Sequence, residues 1–171
     1  MKKVIATTLL IIVCFLLQTT LFQEIQLANV APNLLLIITV SFAYTNGREY
    51  GMLTGFFCGL LSDMVFGSVI GVCAGIFMVL GYLVGYANKF YYSEDFAAPL
   101  LLMAISDFIY GFLYYMFMFL LRGRLHFLYY LRRIVVPEIV YTVLVGVVLY
   151  KFIHWLNGKL TIQPEDMTES A

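Results

Sequence analysis

The chain is 171 residues long, 63% hydrophobic and only 12% charged. Soluble domains carry about 25% charged residues, so this composition, with a mean hydropathy of +0.93, excludes an ordinary soluble fold. Ten basic and ten acidic residues cancel to a formal net charge of zero, which removes any global attraction to nucleic acid.

About 20 apolar residues cross a bilayer as a helix, and six segments point to such spans. The first, about 4–22, follows Lys2 and Lys3 and is read as a retained helix, because no convincing small-x-small cleavage site follows it. A polar interval, QEIQLANVAP (23–32), leads to Pro32-Asn33 and a short second span, about 33–46. Thr45-Asn46-Gly47-Arg48 reads as a turn. The third span covers about 49–66 and the fourth about 69–88, joined almost without a loop at Gly67-Ser68 as an antiparallel hairpin. KFYYSED (89–95) is polar and aromatic, as at a membrane interface. The fifth span, about 96–121, is strongly aromatic, and the sixth, about 134–156, follows the basic interval RGRLHFLYYLRR (122–133). The expected fold is therefore all-α: a polytopic membrane protein with a six-transmembrane-helix bundle as a single domain over 1–157. The polar tail 158–171 is expected to be disordered.

Six spans place both termini on one side. Lys2, Lys3, Arg48, Lys89, Lys151 and Lys159 would then share one face, and Arg122, Arg124, Arg132 and Arg133 the other. The 23–32 and 67–68 connections carry no basic residue. By the positive-inside rule the termini are expected in the cytoplasm. The four arginines then lie outside, as an interfacial helix, as a loop snorkelling to lipid phosphates, or as a contact surface.

Glycine recurs at every fourth position at 47, 51, 55 and 59; Asp63 takes the next place, and glycine returns at 67, 71 and 75 and again at 81 and 85. In water such a helix would be weak, by about 1 kcal/mol per Gly relative to Ala. In a bilayer, small residues four apart let helix backbones meet closely. Three acids fall inside spans: Asp63, Asp107 and Glu138. Buried acids need partners. Asp63 or Glu138 could pair with an arginine of 122–133, accept from Ser or Tyr hydroxyls, or serve the fold alone. Ser62-Asp63 with Gly67 is echoed by Ser106-Asp107 with Gly111. Cys14, Cys58 and Cys73 lie in apolar runs with no C-x-x-C spacing, and read as small buried side chains. His126 and His154 lie near opposite faces, so no metal site is expected. G-x-S-x-G, H-E-x-x-H and P-loop signatures are absent, and neither an enzyme nor a cofactor is expected.

Pro32-Asn33, the run Gly51, Gly55, Gly59 to Asp63, then Gly67-Ser68, Gly71, and Gly81-Tyr82 with Gly85 resemble the rod shape-determining membrane protein family MreD. Pro137 and Tyr141 resemble that family's Pro-x-x-x-Tyr; Thr142 stands where many relatives carry Asn. The resemblance implies a non-enzymatic scaffold in the bacterial cytoplasmic membrane that supports rod shape. It would bind an MreC-like single-span protein and act indirectly with MreB, RodA and a class B penicillin-binding protein in sidewall peptidoglycan synthesis. It also implies a fold like the substrate-binding subunits of energy-coupling-factor transporters. The alternative function is such a small-molecule-binding subunit. Against it, the first span lacks a small-x-x-x-small face, since Leu10 lies four after Ala6.

Overall fold

The computed structural model describes residues 2–24, 31–67, 69–88, 97–117 and 127–161. Its elements are α1 (Lys2–Glu24), α2 (Leu34–Asn46), α3 (Arg48–Phe66), α4 (Val72–Asn88), α5 (Ala97–Tyr115), a short α6 (Phe127–Tyr130) and α7 (Val136–Thr161), all helical. A π-helical turn, Leu131–Val135, joins α6 to α7.

The hub is the shortest of the six long helices. α2 has 13 residues, and every one from Leu34 to Tyr44 is buried. At 1.5 Å per residue it is about 20 Å long, well short of a bilayer core. It is apolar all round, the signature of a helix enclosed by others, and it touches α1, α3, α4, α5 and α7. Its hydroxyls turn back on its own carbonyls: Thr39 Oγ1 donates to Leu35 O at 2.9 Å and Ser41 Oγ to Ile37 O at 2.7 Å. These two buried hydroxyls therefore need no water.

Against α2 stands the hairpin of α3 and α4, packed backbone to backbone. A Cβ at Gly59 would lie 2.5 Å from Ala74 Cα and from Cys73 O. At Gly55 it would strike the Phe77 carbonyl, at Gly81 the Gly51 carbonyl and at Gly85 the Arg48 backbone. Gly51 is closed from a second side by Ala43 of α2. Gly51, Gly55, Gly59, Gly81 and Gly85 thus build one contact surface between α3 and α4, which α2 joins at Gly51 and Gly55. α4 begins at Val72 rather than at the expected 69, because Gly67 is extended (φ −80°, ψ 134°) and Gly71 turns the chain at φ +106°.

α5 and α7 complete the bundle. Gly111 of α5 receives Val135, and Gly146 of α7 receives Met103. The last helix starts earlier than the sequence predicts. The described part of the basic interval, from Phe127, leads through the π-helical turn directly into α7, so it forms the first turns of that helix rather than a separate surface helix. Pro137 supplies the reason: it offers no N–H to a carbonyl one turn back, and a widened turn just before it accommodates the break. Arg122, Arg124 and His126 lie outside the described residues.

Polarity runs inside out. Leu9, Met64, Leu83, Leu101 and Val148 are all exposed, whereas Thr39, Ser41, Asp63, Asp107 and Thr142 are buried. α5 and Leu131–Trp155 are long and apolar enough to cross a membrane; Val4–Thr20, Leu34–Asn46 and Val72–Ala87 are shorter apolar helices. An apolar exterior over a polar-spotted interior suits a lipid surround.

Candidate functional site: a capped end with a polar cavity

In a lipid surround the free N–H groups at a helix start have no water to bind, and each must find a partner in the protein. Two helix starts lie at the same end of the bundle, and both are capped at the same three amides. For α4, the cap position is Gly71, which has no side chain. Asp63 of α3 reaches across and replaces it. Its Oδ2 accepts from Gly71 N at 2.8 Å and Ala74 N at 3.0 Å, and its Oδ1 accepts from Cys73 N at 3.0 Å. A carboxylate there also faces the positive end of the helix dipole. Gly67 closes over it, with room for no Cβ beside Asp63 O and Oδ1. Asp63 is 1% exposed.

For α2 the work is divided among three side chains. Asn33 Oδ1 accepts from Leu36 N at 3.2 Å, Gln18 Oε1 of α1 accepts from Leu35 N at 3.2 Å, and Thr142 Oγ1 of α7 accepts from Asn33 N at 3.1 Å. Leu34 N, the remaining amide of that turn, bonds Pro32 O at 3.1 Å. The caps therefore tie α1, α2 and α7 together, as Asp63 ties α3 to α4.

Beside this layer opens a cavity of about 230 Å³ lined by Gln18, Ala31, Asn33, Ser62, Phe66, Tyr110 and Glu138. Tyr110 edges the Phe77 ring at 5.2 Å, and its hydroxyl lies 3.8 Å from Cys73 Sγ. Asp107 is 2% exposed, and neither of its carboxylate oxygens has a hydrogen-bond partner among the described residues. Its helix packs against α7, which carries Glu138 and Thr142.

Of the acids singled out in the sequence, Asp63 caps α4, Glu138 lines the cavity, and Asp107 is buried without a hydrogen-bond partner among the described residues. Among the described residues Asp63 bonds neither an arginine nor a hydroxyl; its partners are backbone amides. Arg132 and Arg133 are exposed, and Arg133 lies 5.6 Å over the Tyr129 ring. The Ser-Asp echo gains a meaning too. Both aspartates are buried, but Asp63 accepts from the open start of α4, whereas Asp107 has no hydrogen-bond partner among the described residues. Pro32 and Asn33 are buried at the start of α2, Tyr82 is exposed on α4, and Ser68 lies outside the described residues. Sequence reasoning passed over Gln18, Ser62 and Tyr110 as site residues. The lone amide Gln18 in an apolar run was the available signal.

The family model for rod shape-determining protein MreD matches residues 1–159. No curated protein matches the chain, and no solved structure does, so the expected likeness to energy-coupling-factor subunits has no support from a structural match.

Proposed function

Because the chain belongs to the MreD family of non-enzymatic shape-determination proteins, we propose that it is a membrane scaffold binding an MreC-like single-span protein. Through that protein it helps position sidewall peptidoglycan synthesis, with MreB, RodA and a class B penicillin-binding protein as indirect partners. Its place is the bacterial cytoplasmic membrane, with both termini inside, so that the capped end faces the wall.

One observation carries this reading. The α3–α4 hairpin and α2 are closed on each other by glycine contacts, while the helices around α2, the outer face of the hairpin included, keep apolar outer stripes. Leu9 and Leu16 on α1, Leu101 and Phe112 on α5, and Leu144 and Val148 on α7 are exposed. A stiff core with free outer helices is what a helix-binding scaffold needs, because helix association in lipid rests on packing against preformed surfaces. Photocrosslinking from positions 9, 101 and 148 in living cells tests it. An adduct with the MreC-like protein from at least one of these faces is expected. Adducts with none of the three would contradict the reading.

A further inference from the structure

The scaffold reading makes no use of the chemistry of the cavity at the capped end. α7 brings a carboxyl to it, because Glu138 lines the cavity; Asp107, outside that lining, lies on the same face of α5 as the lining residue Tyr110, three positions on. Asp107 is 2% exposed and has no hydrogen-bond partner among the described residues. A buried carboxyl without a partner either keeps its proton or takes a counter-cation. α1 and α2 bring the opposite chemistry. Gln18 and Asn33 have committed their side-chain oxygens to Leu35 N and Leu36 N, so their NH2 groups are what they have left to offer. Those donors disfavour a bare metal ion, which would seek about six oxygens, and no group of three His, Cys, Asp or Glu gathers among the described residues.

We infer that the cavity between Gln18, Asn33 and Glu138, with the buried Asp107 one turn of α5 from its lining residue Tyr110, binds a protonated primary amine carrying an oxygen acceptor close to the nitrogen. The ammonium sits against the Glu138 carboxyl, on the side of the cavity toward Asp107, and the acceptor meets the amide donors. A phosphoethanolamine lipid headgroup and a free amino alcohol share this chemistry. The cavity lies where α2 starts and α3 ends, and its lining residue Phe66 is 41% exposed.

The test uses the full-length protein in mild detergent with equal amounts of phosphatidylethanolamine and phosphatidylcholine of matched acyl chains. Retained lipid is read by native mass spectrometry. Wild type is expected to retain the primary-amine lipid about tenfold better, the effect of one or two charge-assisted hydrogen bonds. Free ethanolamine is then titrated in: displacement shows that the amine alone suffices, and retention assigns the site to the lipid. The Asp107→Asn, Glu138→Gln double variant, which keeps shape and polarity, is expected to lose the preference. Equal retention of the two lipids by wild type overturns the proposal, whether or not the double variant folds, and so does a preference that survives the double substitution.

Discussion

Asp63 holds three backbone amides at the start of α4, at 2.8–3.0 Å. That fixes what its loss does. Asp63→Ala would strand those donors in an apolar interior, at a cost of about 2 kcal/mol or more. Asp63→Asn keeps one acceptor oxygen and should lose less. Thermal midpoints in detergent, with membrane abundance alongside, check the order: wild type, then Asn, then Ala. Rescue of Asp63→Arg by Arg132→Asp or Arg133→Asp is not expected, because the partners are amides. Thr142→Val removes the acceptor for Asn33 N and should cost about 1 kcal/mol, with Thr142→Ser close to wild type. At this scale the sequence told only part of the story. An acid in an apolar run announces itself, so Asp63, Asp107 and Glu138 were all visible. Their partners were not, because a backbone amide carries no residue signature. Gln18 and Thr142 are as hard to find: Thr142 meets Asn33 across 109 positions of chain, and no local pattern records that.

At the scale of elements, the fourfold glycine spacing was legible for a simple reason. A missing side chain is useful only where something else fills the space, and a repeat of four keeps that space on one helix face. The hairpin between α3 and α4 follows directly. Its prediction is a contrast within one motif. Gly59→Leu meets the Ala74 backbone and should cost about 3 kcal/mol or more, with loss of membrane-inserted protein. Gly75, on the same spacing, has nothing within 4 Å of a built Cβ, so Gly75→Ala should stay within about 1 kcal/mol of wild type. Equal effects of the two would refute the packing account. Less was legible elsewhere. α2 reads as one apolar segment among six, and hydropathy cannot mark it as the hub, since lipid-facing and buried helices are equally apolar. The start of the last helix was hidden too: alternating basic and apolar residues at 122–133 masked a helix that the turn at Leu131–Val135 carries past Pro137.

At the scale of the molecule, the match over residues 1–159 and the inside-out polarity describe a membrane bundle of the rod-shape machinery. All-α architecture followed from composition and span lengths, whereas orientation rests on charge alone. It can be checked at Tyr129, which is 62% exposed beside the capped end. Tyr129→Cys, in a chain whose native cysteines are changed to serine, should react with a membrane-impermeant thiol reagent added to intact spheroplasts. Reaction only after lysis would reverse the topology and turn the capped end to the cytoplasm. The outer stripes of α1, α5 and α7 give the bundle its proposed task, to hold another protein's membrane helix. Affinity purification of the full-length chain in mild detergent from its native membrane tests that task most directly. The account predicts an MreC-like single-span protein in the eluate, lost when Gly59→Leu opens the hairpin. Recovery of ATPase subunits without any MreC-like protein would contradict it.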